Sequence, residues 1–217
     1  MPVSDEATAL VAYVQQAIDK GRVRPSSYTF HYHSPDRQWS CALFSLPCMV
    51  CGKQCSRTLP YCRRHLASEY KVKLAPTSLR RPDGRRYQFL GIFAVGQPGE
   101  RVFVEGETMM PYLGEIGHNY DWLLERYGDS TVPYGFKHNG RQYYTDSALL
   151  RGAAASINMA TPEQSNNVAF ENTMPLARIY ALRDIYDGEE LLLDYGDSYR
   201  FGESGVVFKT SRSEESS

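Results

Sequence analysis

The feature that most constrains this chain is the crowding of its cysteines. All five lie between Cys41 and Cys62 of a 217-residue sequence. Cys48 is followed by Cys51, and Cys62 by His65, with two residues between the members of each pair. Pairs at this spacing can each chelate one metal ion, and zinc takes four thiolate or imidazole ligands in a tetrahedron. The pattern predicts a structural zinc ion (Zn2+) bound by Cys48, Cys51, Cys62 and His65.

Alternatives within this cysteine-rich segment stay open. Cys55 is a further candidate ligand, which would replace His65 or Cys51, whereas Cys41 is expected to be an ordinary buried thiol. Gly52 is expected to fold the backbone under the metal with a positive φ. Four protein ligands leave no open position, so the metal would stabilise the fold rather than catalyse. Disulfides are not expected, because the N-terminus lacks a secretory pattern and cytosolic or nuclear thiols stay reduced.

Charge is divided unevenly along the chain. Residues 1–86 carry 14 Lys/Arg against 6 Asp/Glu, a net charge of +8, whereas residues 87–217 carry 10 against 19, a net charge of −9. The acidic part would attract a basic protein substrate, and the basic part could bind nucleic acid or another acidic surface. The alternative is two solvated faces that neutralise each other. No run of about 18 apolar residues is present, so no membrane contact is expected.

The distribution of apolar residues predicts a folded, mainly β chain with short helices, an α+β fold. Because 42% of the residues are hydrophobic, the chain can fill a core. Residues 4–20 are predicted as an amphipathic helix that stops at Gly21, and residues 22–47 as irregular. From Tyr87 onward, short apolar runs between turn residues predict several small antiparallel sheets. These runs are QFLGIFAV, RVFVEG, LARIYAL and ELLLDY, with one helix predicted at YDWLLERYG.

Three segments of the second half carry the functional signal. They are LGIFAV with the downstream PYLGEI, then DSALLRGAAASINMATPEQSNN, then DGEELLLDYGDSY. In this order and spacing they resemble the SET-domain family of protein lysine methyltransferases, over about residues 87–200. The resemblance implies a SET-like β-clip fold of small antiparallel sheets, in which the chain end threads a loop as a pseudoknot. It also implies S-adenosylmethionine as methyl donor and a narrow channel that admits the substrate lysine.

The resemblance assigns cofactor contacts residue by residue. Gly91, flanked by Leu90 and Ile92, matches the second glycine of the family's first motif, whose backbone cradles the cofactor. Asn158 matches the asparagine of the family's Asn-His-Ser motif, which hydrogen-bonds the cofactor, and Met159 takes the place of the histidine. These matches imply a cofactor site that these residues share with the catalytic tyrosine.

The resemblance also assigns the substrate side of the site. Tyr195 matches the catalytic tyrosine, and Tyr112 belongs to a Tyr-x-Gly-Glu segment beside the target lysine. Tyr134 falls where the family places an aromatic residue of the lysine channel. Asn166 or Asn167 matches a later asparagine of the cofactor loop. Desolvation and the cationic sulfonium would both lower the pKa of the substrate lysine from about 10.4, and the Tyr195 hydroxyl would orient its amine.

The sequence departs from the family pattern at several positions. Phe89 stands where the first motif begins with glycine, and the Asn-His-Ser motif reads Asn-Met-Ala. These departures keep a second interpretation open, in which a catalytically weak or inactive SET-like fold serves as a scaffold in a chromatin complex. A third interpretation is a nucleic-acid binder that uses the basic half.

The expected organisation has three parts. Residues 1–80 would form an N-terminal helix and a zinc-binding module, and residues 81–200 a SET-like methyltransferase domain. Residues 201–217 would form a partly disordered tail. The predicted activity is S-adenosylmethionine-dependent methylation of lysine on a basic, histone-like or ribosome-associated protein. The predicted location is the nucleus, with chromatin-complex subunits as possible partners.

Overall fold

The structure, a computed structural model, is mainly β with short helices, as the sequence predicts. Residues 24–33, 38–44 and 207–210 are described by their backbone alone. No helix in the described part of the chain is long and apolar enough to cross a membrane. The described residues are 9, 12, 13, 16, 17, 19–22, 24–33, 38–55, 59–81, 83–87, 89–117, 119–127, 134–138, 144–148, 151–161, 164–171, 177–195 and 207–210.

The secondary-structure elements are short and numbered in chain order. The strands are β1 (Arg24–His33), β2 (Gln38–Ser45), β3 (Val72–Pro76), β4 (Leu90–Ala94), β5 (Arg101–Phe103), β6 (Thr108–Pro111), β7 (Glu115–Gly117), β8 (Gly135–Lys137), β9 (Tyr144–Asp146), β10 (Asn158–Met159), β11 (Val168–Glu171), β12 (Arg178–Ala181), β13 (Ile185–Tyr186), β14 (Leu192–Leu193) and β15 (Val207–Thr210). The helices are α1 (Arg63–Tyr70) and α2 (Tyr120–Tyr127), and a 3₁₀ turn covers Ala153–Ser156.

The chain divides into two compact units, each assembled from separate segments. The first unit combines Met1–Cys62, Leu113–Arg151 and Gly196–Ser217, and the second combines Arg63–Tyr112 and Gly152–Tyr195. The domain boundaries predicted after residues 80 and 200 stay predictions.

One sheet of the first unit was not foreseen. Strands β1 and β2 form an antiparallel hairpin, and β15 pairs with the other edge of β1. Irregular structure was predicted for residues 22–47, and that prediction is wrong for the two strands. Tyr28, Phe30 and Tyr32 recur at every second position, which is the period of a strand. Residues 207–210 of the predicted tail form strand β15.

The N-terminal helix is confirmed where it is described. Residues 9, 12, 13, 16, 17 and 19 are helical. Gly21 has φ +61°, and the Arg22 N–H donates to the Ala17 carbonyl at 2.8 Å. A left-handed glycine with this hydrogen bond is a Schellman C-cap, so Gly21 ends the helix as predicted. The beginning of the predicted helix lies outside the described residues.

A buried acid links helix α2 to strand β9 in the first unit. Asp146 is fully buried and accepts hydrogen bonds from Arg126 at 2.6 Å and from the Tyr127 hydroxyl and the Ala148 N–H at 2.9 Å. Arg126 also donates to Glu115 of β7 at 2.7 Å. Burial raises the pKa of Asp146, and the adjacent Arg126 charge opposes that rise. The predicted helix YDWLLERYG is therefore held to its sheet by charge as well as by packing.

The second unit is built around an inserted strand. Its largest sheet has the order β10-β14-β11-β12-β6. Strand β14 lies between β10 and β11 and runs parallel to both, whereas β11 with β12 and β12 with β6 are antiparallel. A late strand thus enters between two earlier ones. Two antiparallel pairs, β3 with β4 and β5 with β13, complete the unit.

We expect Arg126→Met to lower the free energy of unfolding by about 3 kcal/mol, because it leaves the Asp146 carboxylate buried without its cation. The deficit should shrink as pH falls, because burial raises the pKa of Asp146 and its protonation removes the unpaired charge. Urea denaturation at several pH values measures both effects.

Arg183→Met is the matched control. Arg183 forms an ion pair with Glu189, but half of its side chain is exposed, so the loss should stay within about 1 kcal/mol. Equal losses in the two variants would contradict a special role for the buried pair.

Candidate functional site

The predicted catalytic tyrosine is hydrogen-bonded to the residue that precedes the predicted cofactor asparagine. Strand β10 begins at Asn158 and pairs with β14, and Tyr195 follows β14 by two residues. The Tyr195 hydroxyl donates a hydrogen bond to the main-chain carbonyl of Ile157, the residue before Asn158. The parallel pairing of β10 with β14 therefore determines where both side chains lie.

The Asn158 carboxamide has a defined orientation. Its Nδ2 donates to the Leu90 carbonyl and to Glu190 Oε1, each at 3.0 Å. Because both partners can only accept, the nitrogen must face them. The two amide hydrogens are thus used within the protein. The carboxamide oxygen, a hydrogen-bond acceptor, is the part of this side chain that can serve a ligand.

Glu190 is the residue that sequence reasoning missed. It is 7% exposed, and its Oε1 accepts hydrogen bonds from Thr77 Oγ1 at 2.7 Å and from Asn158. Its Oε2 accepts from the Ser78 N–H at 2.6 Å and from the Ser78 hydroxyl at 2.5 Å. One carboxylate thus joins the segment after β3 to the start of β10. The available signal was an acid directly before the apolar run at residues 191–193.

Gly91 lies against this carboxylate. A Cβ placed on Gly91 would lie 2.0 Å from Glu190 Oε1 and 3.0 Å from Asn158 Nδ2, so any side chain at this position would displace the Glu190 carboxylate. The absence of a side chain here lets the Glu190 and Asn158 side chains approach strand β4. The Glu190 carboxylate therefore lies close to the backbone of Gly91. A cofactor contact at Gly91 stays a prediction.

The remaining predicted cofactor residues flank this centre. Leu90 contributes its carbonyl to Asn158, and the carbonyl of the fully buried Ile92 accepts the Leu191 N–H at 2.8 Å. Met159 stands opposite Leu193 in the β10–β14 pairing and is half-buried. These residues are brought to the same sheet region, and their cofactor roles stay predictions.

Asn167 braces the inserted strand. It is 2% exposed, its Nδ2 donates to the Glu190 carbonyl at 2.9 Å, and its Oδ1 accepts the Leu192 N–H at 2.8 Å. Of the two alternatives left open, Asn166 and Asn167, the structure buries Asn167. Its side chain makes the hydrogen bonds to the backbone of residues 190 and 192 that a neighbouring strand would otherwise make.

The two predicted channel tyrosines belong to different units. In the second unit, Tyr112 is 6% exposed and meets Phe170 edge-on, with 5.2 Å between the ring centroids. In the first unit, the Arg151 guanidinium lies 4.2 Å from the centroid of the Tyr134 ring. Their predicted channel roles stay predictions.

The cysteine cluster, defined as Cys48, Cys51, Cys62 and His65, is assembled as its spacing predicts. The four ligand atoms lie within 4.8 Å of one another, with Cys51 Sγ and Cys62 Sγ 4.0 Å apart. A tetrahedral zinc ion with Zn–S bonds of about 2.3 Å places its sulfurs about 3.8 Å apart, so the spacing fits that ion. Gly52 has the expected positive φ, +71°.

Cys55 lies next to the cluster, and its side chain also hydrogen-bonds Cys48. It is buried, and its thiol donates to the Lys53 carbonyl at 3.7 Å. It does not belong to the group of four ligand atoms that lie together. Helix α1 begins at Arg63, directly after Cys62, and carries His65 in its first turn.

We expect Glu190→Gln to lower the free energy of unfolding by about 2 kcal/mol. Both carboxylate oxygens accept two hydrogen bonds each, so the glutamine NH₂ group must face donors on one side. The neighbouring Glu189→Gln is the control and should change stability by less than about 1 kcal/mol, because Glu189 is partly exposed. Chemical denaturation of both variants measures the difference, and equal effects would contradict the role assigned to Glu190.

The chain is similar to a known family and to solved structures. A family model described as the SET domain matches residues 36–196, whereas comparison with curated protein sequences gives no match. Over 60% of its length the chain is similar to a Chaetomium thermophilum polycomb repressive complex 2 in an autoinhibited conformation bound to S-adenosylmethionine, with 26% identity and a TM-score of 0.45. The match spans only 16% of that chain.

A second similar structure is the methyltransferase domain of human PR domain-containing protein 2. It has 16% identity and a TM-score of 0.44, over 61% of this chain and 83% of that one. The family model covers well over half of the sequence and includes the cysteine cluster and the whole second unit. This chain belongs to the SET-domain family of protein methyltransferases.

Proposed function

We propose that this protein transfers a methyl group from S-adenosylmethionine to a lysine side chain of a basic protein. The observation that carries the proposal is the hydrogen bond of Tyr195 to Ile157, the residue before Asn158, in a chain of the SET-domain family. Methyl transfer to an amine is a direct displacement that needs orientation of the two reactants and no catalytic metal.

The acceptor groups around Asn158 suit a cationic ligand. S-adenosylmethionine would supply an electrophilic methyl group on a positively charged sulfonium, and it also carries an ammonium group. The Asn158 carboxamide oxygen can accept from such an ammonium, and the Glu190 carboxylate 3.0 Å from Asn158 Nδ2 adds negative potential. Asn158 and Glu190 therefore suit the cofactor as hydrogen-bond acceptors. Strand β4 supplies Leu90, Gly91 and Ile92 beside them.

Tyr195 is the proposed orienting residue for the substrate amine. Its hydroxyl hydrogen is directed to the Ile157 carbonyl, which leaves the oxygen lone pairs to accept an N–H from lysine. Tyr112 and Tyr134 are proposed as channel walls. An apolar aromatic surrounding lowers the pKa of the substrate lysine, because burial disfavours its charged form, and the neutral amine is the nucleophile.

Charge supports a basic protein as substrate. Residues 87–217 carry 10 Lys/Arg against 19 Asp/Glu, and an acidic surface raises the encounter rate with a positively charged segment. A histone-like protein, a nuclear location and partners in a chromatin complex are accordingly proposed together.

A scaffold without activity is the second candidate, and one observation favours it. Met159 and Ala160 stand where the family motif has His-Ser, and both amide hydrogens of Asn158 are held within the protein. Fewer side-chain groups therefore remain for the cofactor. In this alternative the fold would bind partner proteins and transfer no methyl group.

We further propose that the cysteine cluster holds a structural zinc ion. Three thiols and one imidazole are the donor types that zinc prefers. With all four positions taken by protein, the ion would stabilise the segment between β2 and α1. Catalysis would not involve it.

We expect Tyr195→Phe to reduce methyl transfer about a hundredfold, because the amine loses its orienting acceptor. The assay follows incorporation of labelled methyl from S-adenosylmethionine into mixed histone proteins. Tyr186→Phe is the control, since Tyr186 is 44% exposed and should leave the rate unchanged. Equal rates in wild-type protein and the Tyr195 variant would overturn the assignment, and no incorporation by the wild-type protein would favour the scaffold.

We expect the purified protein to contain zinc and the Cys62→Ser variant to lose it, because three ligands bind the ion far more weakly than four. Elemental analysis after gel filtration measures the metal content. Cys55→Ser should keep its zinc, since Cys55 lies outside the cluster. Zinc loss in the Cys55 variant with retention in the Cys62 variant would contradict the predicted ligand set.

A further inference from the structure

The exposed end of the β3–β4 arm carries four arginines that neither the cofactor site nor the cysteine cluster uses. We define residues 79–87 as the arginine hairpin. Arg80 and Arg86 stand opposite each other in an antiparallel bridge, and Arg81 and Arg85 flank the turn. All four are exposed, and the segment 80–86 contains four arginines and one aspartate.

Hydrogen bonds hold the described residues of the hairpin, from its base at Leu79 to its turn. At the root, Thr77 and Leu79 are fully buried, and the Thr77 and Ser78 side chains donate to Glu190. Toward the tip, the Tyr87 N–H donates to the Leu79 carbonyl at 3.2 Å and the Arg81 N–H to the Arg85 carbonyl at 2.8 Å. The arm therefore presents its arginines on a two-stranded ribbon.

Two of the guanidinium groups are held in place by the hairpin itself. Arg80 donates to the Gly84 carbonyl at 2.9 Å, and the Arg81 guanidinium lies 5.7 Å from the centroid of the Tyr87 ring. Tyr87 in turn stacks on Phe89 with 5.0 Å between centroids. Groups held in this way lose less conformational entropy when they bind a partner.

The charges of the hairpin are poorly neutralised within the protein. Among the described residues, its ion pair joins Arg85 to Asp83 at 3.9 Å, with both side chains at least half exposed. Like charges directly opposite on paired strands destabilise a ribbon, and Arg80 and Arg86 are such a pair. A polyanion placed along the ribbon would relieve this repulsion.

We propose that the arginine hairpin is a binding site for the phosphate backbone of double-stranded DNA. The major groove of B-form DNA admits a two-stranded β-ribbon, which places arginines from both strands near the phosphates. The deep and narrow major groove of an RNA duplex excludes such a ribbon. Arginine also contacts phosphate through two parallel hydrogen bonds, which suits it to this surface. DNA binding by the arginine hairpin does not depend on methyl transfer.

The test compares binding of the full chain to a labelled DNA duplex of arbitrary sequence at several salt concentrations. Four phosphate contacts predict an affinity loss of about a hundredfold between about 50 and 200 mM salt. Arg81→Gln combined with Arg86→Gln should reduce the slope of log affinity against log salt by about 2 and weaken binding at least about tenfold at low salt. The same positions changed to lysine should keep the slope.

Arg101→Gln combined with Arg183→Gln is the matched control, because it removes the same charge from two other exposed arginines. The control should bind nearly as tightly as the wild-type protein. An RNA duplex of the same sequence, a single strand and polyglutamate are the competing probes. Equal losses in the two double variants, or equal or tighter binding to any competing probe, would overturn the proposal. Thermal unfolding of each variant shows that the loss is not a failure to fold.

Discussion

The second unit depends on one buried carboxylate. Glu190 accepts hydrogen bonds from Thr77, Ser78 and Asn158, so it connects segments that are far apart in sequence. A buried acid without such donors would cost several kcal/mol, which makes the arrangement cooperative. If either donor segment, residues 77–78 or Asn158, shifts, the carboxylate loses part of its compensation. A side chain at position 91 would displace this carboxylate, which favours glycine there.

The inserted strand turns this local interaction into a site. Strand β14 pairs with β10 and β11, and Glu190 lies just before it and Tyr195 just after it. Asn167 binds the backbone on both sides of that entry. The strand is only two residues long, so backbone pairing alone would hold it weakly. Side-chain hydrogen bonds of Asn167 and Glu190 fix the position of this strand. The Tyr195 hydroxyl is thereby placed at the Ile157 carbonyl.

Sequence reasoning succeeded where a signal was local. The Cys48–Cys51 and Cys62–His65 spacings predicted the assembled cluster, and apolar runs predicted β4, β12 and helix α2. It failed for β1 and β2, although Tyr28, Phe30 and Tyr32 recur at the period of a strand. It also missed Glu190, because an acid before a leucine run looks like a solvated residue until its distant donors are known. Interactions between positions about a hundred residues apart leave no mark within either segment.

We propose that Asn158, Glu190 and Tyr195 form a working cofactor site despite the altered motifs. Isothermal titration of the full chain with S-adenosylmethionine tests it most directly. We expect saturable binding at one site per chain. We expect Asn158→Ala to weaken this binding and Asn166→Ala, at the half-buried neighbour of Asn167, to leave it unchanged. A folded protein that shows no binding heat at several temperatures would contradict the claim.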